Sequence, residues 1–205
     1  MNKINYQKIS DEIINENQKQ GRVPSLLLQS CCAPCSSYVL EYLSRFFSIT
    51  VLYYNPNIFP AQEFEKRAAE QERLIRSMKL PMEVQFLAGE YESDVFFEMA
   101  AGLEDCPEGG RRCALCYELR LRKTAALAKE KGFDYFTTTL TISPLKNAAV
   151  INEIGARLSA EYGVPYFFSD FKKKEGYKRS IELSKEFDLY RQNYCGCIFS
   201  KDVTE

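Results

Sequence analysis

Short apolar runs alternate with amphipathic stretches along most of this chain, and that pattern constrains the fold more than anything else. "SLLLQS" (25–30), "ITVLYYN" (49–55), "MEVQFLAG" (82–89), "DYFTTTLTISP" (134–144) and "VPYFFSDF" (164–171) have the length and β-branched or aromatic content of buried strands. Helical spacing follows each of the first four. Val39, Tyr42, Leu43 and Phe46 share one face, as do Phe64, Ala68, Ile75 and Met78 after Pro60. Further helices are expected at 5–20, 93–101, 113–132, 145–163 and 177–190. Such alternation predicts a mainly parallel, five-stranded, doubly wound α/β (Rossmann-like) sheet with helices on both faces. Right-handed crossovers favour the strand order 3-2-1-4-5, with a ligand crevice at the carboxyl end of strand one.

A length of 205 residues suits a helical extension (1–22) followed by a single α/β domain (23–205). The formal net charge of -1 recruits neither nucleic acid nor membrane in bulk, so any such partner must meet a local patch. The polar N-terminus has no secretory h-region and no run is long enough to span a membrane, so a cytoplasmic location is expected. Thiols stay reduced there, and clustered cysteines read as metal-binding or catalytic.

Eight cysteines fall into three groups in a chain with no histidine: Cys31/Cys32/Cys35, Cys106/Cys113/Cys116 and Cys195/Cys197. The first group occupies the turn after strand one, where related folds cradle phosphate, yet "QSCCAPCSS" has no glycine. Cys113 and Cys116 share a helix face, and Gly196 lets Cys195 and Cys197 turn toward one centre. Without histidine, all-thiolate ligation leaves four-cysteine zinc or an iron–sulfur cluster. Ligand softness and count favour a redox cofactor: seven thiols exceed the four of one cubane, and three remain for a second metal with an open position. Cys106 stands in a polar loop outside any tight pair and reads equally well as a spectator. Ser36 or Ser37 is the expected N-cap of the next helix, and Arg111 and Arg112 add positive charge near the second group.

Together, "CCAPCSSYVLEYL", "YYNPNI", "PEGGRRCALCYELRL", "TTTLTISPLKN" and "YCGCIFS" resemble the QueH-type epoxyqueuosine reductases over residues 24–200. The resemblance implies reduction of epoxyqueuosine to queuosine at the wobble position of tRNAs with GUN anticodons, without cobalamin. It also implies a HUP-like fold, a [4Fe–4S] cluster and an adjacent mononuclear iron. By position, the ligands would be Cys31, Cys32, Cys113, Cys116, Cys195 and Cys197, with Cys35 as a further one. Some members carry aspartate at the position of Cys35, and Cys106 lies outside the family pattern.

Removing an epoxide oxygen takes two electrons and two protons, so an external electron donor is expected. A single iron held with Cys35 would polarise the oxygen. Tyr53, Tyr54 and Asp134 are candidate proton sources, against their reading as ordinary strand or turn residues. Ser143, Lys146 and Asn147 stand at a helix start suited to phosphate. Asn55 and Asn57 in "YNPN" are candidates for reading a base edge, or turn formers. Lys172, Lys173, Lys174, Lys178 and Arg179, with Tyr177 interleaved, form a candidate tRNA patch, against a solvated charge run. Two other classes remain: an iron–sulfur tRNA thiolation enzyme, which would want a glycine-rich pyrophosphate loop, and a non-enzymatic zinc-binding RNA module.

Overall fold

A computed structural model describes residues 4–200. The elements are α1 (Tyr6–Lys19), β1 (Ser25–Gln29), α2 (Ala33–Leu43), β2 (Ser48–Tyr53), α3 (Ala61–Ser77), β3 (Gln85–Ala88), α4 (Ser93–Ala100), α5 (Arg111–Lys131), β4 (Tyr135–Thr138), α6 (Ala148–Tyr162) and α7 (Gly176–Glu186). Single 3-10 turns occupy Thr139–Ile142 and Ile198–Ser200. Among the described residues, no helix is long and apolar enough to cross a membrane.

The strands form one parallel sheet in the order β3-β2-β1-β4. Winding therefore proceeds from β1 through β2 to β3 on one side and returns to β4 on the other. Alternation along β1 divides the core. Leu26 and Leu28 pack with Val39, Leu40 and Leu43 of α2, whereas Leu27 packs with Leu121 and Ala125 of α5 and Ile151 and Leu158 of α6. Leucine on both faces is what a strand covered by helices on each side requires.

The five-stranded HUP-like sheet expected from sequence is not what forms: the sheet has four strands. Residues 164–171 lie beside β4 but touch it through a single parallel bridge, Phe136 with Tyr166. Pro165 has no N–H to offer a ladder. Side chains take the remaining backbone groups. Ser10 Oγ donates to Phe168 O at 2.7 Å, and Asn152 brackets Ser169, accepting from its N–H at 3.0 Å and donating to its carbonyl at 2.8 Å. β4 is also shorter than the apolar run that encodes it. Thr138 Oγ1 accepts from Leu140 N–H, capping the 3-10 turn that ends the strand.

The N-terminal helix packs against this region. Ile14 joins the α2-side core, Tyr6 stacks on Phe168 with ring centroids 6.2 Å apart, and Asn17 donates to the Tyr135 hydroxyl at 3.4 Å.

Candidate metal centre

Beyond the carboxyl end of β1 the chain turns sharply into α2, and this turn carries Cys31 and Cys32. Cys32 itself occupies the N-cap position in extended conformation, with Pro34 in the first turn of the helix. Ser36 and Ser37 lie inside the helix instead of capping it. Their hydroxyls donate back to Ala33 O and Pro34 O. Cys35 is thereby one turn in, and the three sulfurs lie within 4.8 Å of one another, a spacing at which they can hold a single metal ion. Cys31 Sγ is 3.7 Å from Cys32 Sγ and 3.8 Å from Thr139 Oγ1 at the end of β4.

The other two groups come to the same place. Cys113 and Cys116 occupy the first turns of α5, which starts after Gly110, and the N–H of Gly109 donates to Cys113 Sγ at 3.2 Å. Between Cys195 and Cys197, Gly196 has φ +98, and a Cβ there would fall 2.8 Å from Ile58 Cγ1 and 3.0 Å from Arg67 Nη1. Only glycine suits both the backbone and the space. Its carbonyl accepts from Phe59 N–H at 3.0 Å, and Cys195 O accepts from Arg67 Nη1 at 3.3 Å. These two bonds pin an otherwise irregular tail over the site. Cys31, Cys32, Cys35, Cys113, Cys116, Cys195 and Cys197 all line one cavity of about 470 Å³. Cys106 does not; its sulfur sits where a Cβ on Gly110 would be, 2.7 Å away.

Positive charge is built into the walls. Arg67 (2% exposed), Arg112 (1%) and Arg120 (3%) are buried, and all three line the cavity with Lys146. Arg67 is paired with Glu63 at 2.7 Å, while Arg112 spends its donors on the carbonyls of Leu103, Glu104 and Phe199. Arg120 bonds only neutral oxygens, Cys116 O at 3.3 Å and Asn55 Oδ1 at 3.4 Å. The thiols respond to one another and to these charges. Hydrogen bonds from Cys32 and Cys35, aided by Lys146 and Arg120, hold the Cys31 thiol well below its ordinary range. A hydrogen bond from Cys197, with Lys146 behind it, does the same for Cys195. The donating partners move the other way: Cys32 is pushed up to about 12, chiefly by its bond to Cys31. Cys116, which is no partner in these bonds, is raised by burial.

Other residues singled out from the sequence divide sharply. Asn57, Ser143, Lys146 and Tyr177 line the cavity. Asn55 does not; it is a structural link, donating to Ser30 O at 2.8 Å and accepting from Gln29 and Arg120. Tyr53 is buried with its hydroxyl donated to Phe64 O at 3.1 Å, and Tyr54 packs in the α5-side core. Asp134 lies at the opposite end of the strands, bonded to Ser25 and Arg22. Within the lysine run, Lys172 bonds Thr141 O and Asp170, Lys174 pairs with Asp11, Lys178 with Glu175, and Arg179 with Glu41. Lys173 is exposed.

Several cavity residues went unread in the sequence: Arg67, Arg120, Gln192 and Tyr194. A signal existed for the arginines. Arg120 follows Cys113 and Cys116 at seven and four residues, and Arg67 follows Phe64 at three, so both lie on the buried stripes of their helices. Five buried polar atoms around the cavity have no hydrogen-bond partner among the described residues: Asn57 Oδ1, Arg67 Nη2, Arg112 Nε, Gln192 Oε1 and Ser200 Oγ. Buried polar groups are normally satisfied, so several orphans among the residues lining one cavity mark a place prepared for a ligand.

Known proteins resemble this chain over most of its length. The family profile described as "Epoxyqueuosine reductase QueH" matches residues 26–203. The Staphylococcus epidermidis protein named epoxyqueuosine reductase QueH is 45% identical over 202 residues, covering 97% of this chain and 85% of that protein. Its namesake in Streptococcus pyogenes is 44% identical, covering 97% and 78%. The Thermotoga maritima protein of that name is 36% identical, covering 86% and 90%. With its seven cavity thiols and a family match running almost end to end, this chain belongs to the QueH family of epoxyqueuosine reductases.

Proposed function

We infer that this chain reduces epoxyqueuosine to queuosine at the wobble position of tRNAs with GUN anticodons, with an iron–sulfur cluster and a neighbouring iron in place of cobalamin. The observation that carries this reading is the convergence of seven thiols, from three distant segments, on one cavity whose walls hold buried cations. The donor set fits the cofactors. Cys31, Cys32 and Cys35 form the compact trio suited to a single iron. Cys113, Cys116, Cys195 and Cys197 supply the four thiolates a [4Fe–4S] cluster takes. When bound, the pair of centres would supply single electrons from an external donor and Lewis-acid polarisation of the epoxide oxygen.

The reaction breaks both C–O bonds of the epoxide, forms a C=C bond and releases the oxygen as water, consuming two electrons and two protons. The side chains of this protein bind, orient and deliver protons. Lys146 and Tyr177 line the cavity and are the proton-bearing groups we assign to the leaving oxygen. The path does not use Tyr53, whose hydroxyl is committed to Phe64 O. Asn57 Oδ1 and Gln192 Oε1 are acceptors and Arg67 Nη2 a donor, a set able to grip the edge of a flipped purine-like base. Ser143 would face its phosphate or ribose. Lys172, Lys173 and Lys174 precede α7, whose Tyr177 and Ser180 line the cavity. Since Lys172 and Lys174 are already bonded to Asp170 and Asp11, they would act as a diffuse positive edge and not as base readers. Residues 23–205 form the unit that carries the site, with 1–22 as its helical extension, working in the cytoplasm where tRNA and reduced thiols are found.

Anaerobically reconstituted protein, given a chemical reductant and epoxyqueuosine-containing tRNA, should yield queuosine when the nucleosides are analysed by mass. Iron-loaded protein that leaves the epoxide intact overturns the assignment. A colourless zinc protein would point to the RNA-binding module instead.

A further inference from the structure

Five cationic side chains line the cavity with the seven thiols, and one of them, Arg120, has no reason to be buried there without an anionic partner. Arg120 is 3% exposed and sits on the cavity wall. Among the described residues no carboxylate is paired with it; its hydrogen bonds run to Cys116 O and to Asn55 Oδ1 at 3.4 Å. Isolating a guanidinium from water in this way is strongly unfavourable unless a negative charge compensates. The anions available to it are the cavity thiols once ionised: Cys116, Cys31 and Cys195, one from each of the three groups, line the same cavity and, with Tyr117, would favour its charged form. Lys146, half-buried, lines the same cavity, and Cys195 and Cys31, when ionised, would favour its charged form too.

Position explains why α5 supplies this arginine. Cys113, Cys116 and Arg120 recur at three and four residues along one helix, so a single rigid element fixes two thiols and the cation together. Asn55 orients the guanidinium, and Asn55 is itself locked to Ser30 O at 2.8 Å, immediately before Cys31. The cation thus has one link to α5 and another, through Asn55, to the β1–α2 turn, the two segments that carry five of the seven cavity thiols.

We propose that Arg120, seconded by Lys146, is a positioning residue that supplies the fixed positive charge against which the thiolate-bound metals are assembled, and that it sets their reduction potential. This rests on the metal-centre reading above. Each electron accepted makes a thiolate-ligated cluster more negative, and a fixed cation in a dry site favours that state. Removing the cation therefore lowers the potential. A merely structural arginine would alter stability and leave the potential alone.

The test is a redox titration followed by electron paramagnetic resonance on the full chain, reconstituted anaerobically with iron and sulfide. Iron and sulfide are counted in each sample. Arg120→Gln should keep its iron and show a lower midpoint potential, and Arg120→Lys should recover most of the difference. Lys146→Gln should move the potential the same way by a smaller amount, and it decides the matter if Arg120→Gln does not fold. Potentials equal to that of the unsubstituted protein in Arg120→Gln and Lys146→Gln overturn the proposal. So does an Arg120→Lys shift as large as that of Arg120→Gln, which would make shape and not charge the cause. If the unsubstituted protein takes up no iron, the metal-centre reading itself is overturned, an outcome distinct from an iron-loaded protein with an unmoved potential.

Discussion

Single residues in this protein are best distinguished by what their neighbours demand of them. Cys35 and Cys106 are both half-buried thiols, yet Cys35 lies within 4.8 Å of two other sulfurs, while Cys106 is outside the cavity. Cys106→Ser should therefore keep full iron content. Cys35→Ser should lose the single iron and retain any sulfide-containing centre, because a neutral hydroxyl replaces an ionisable thiol and the four thiols outside the trio are untouched. Elemental analysis of both variants checks this; iron lost from Cys106→Ser, or none lost from Cys35→Ser, contradicts the division of ligands. The cysteines were legible in the sequence because their spacing is itself the signal. Arg67 and Arg120 were not, because a charged residue on a helix reads as solvated until the helix is seen to be buried on that side.

At the level of elements, the two ends of the sheet do different work. The carboxyl ends carry the metal turn, and the amino ends are clamped by Asp134, which accepts from Ser25 N–H and Ser25 Oγ, each at 2.8 Å. Those bonds, with Arg22 nearby, hold the Asp134 carboxyl below its ordinary range. A depressed carboxylate pKa gives stability that is complete above the unfolded value, about 3.9, and is lost as pH falls through the lower native value. Asp134→Asn should thus be least stable relative to the parent at neutral pH, with the gap closing below about pH 4. Urea midpoints across that range test it, and a gap independent of pH contradicts it. Iron content should not change, since the clamp is a strand's length from the cysteines. The same elements show where sequence reading stopped. Period and composition identify β1 and β2 well, because both are apolar and bounded by polar turns. "VPYFFSDF" carries the same composition, but past its one bridge to Phe136 its backbone turns to the side chains of Ser10 and Asn152 from distant helices, which no local pattern encodes.

Across the whole molecule, a metal held by these cysteines would be coupled to the fold through the tail. The thiols come from the β1–α2 turn, the start of α5 and residues 195–197, so a bound centre would tie together three segments remote from one another in the chain. The first two are set in regular elements flanked by packed core. The third is held by few bonds: Phe59 N–H to Gly196 O, Arg67 to Cys195 O, Tyr190 N–H to Glu70 at 2.7 Å, and Arg112 to Phe199 O. A group that binds the native and not the unfolded state raises stability in proportion to RT ln(1 + [L]/Kd), and each tenfold excess adds about 1.4 kcal/mol. That gain must be largest where order depends most on the ligand. Iron loading should therefore raise the melting temperature, and chelation should reverse it. Amide exchange should slow most in residues 189–200, modestly in the first turns of α2 and α5, and little in β1 and β2, whose protection is already that of the global fold. Hydrogen exchange followed by mass spectrometry on loaded and chelated protein resolves these segments. Uniform slowing across the chain would mean that the metal stabilises only the global fold; slowing confined to 189–200 and the two cysteine turns would mean that the centre closes its own site.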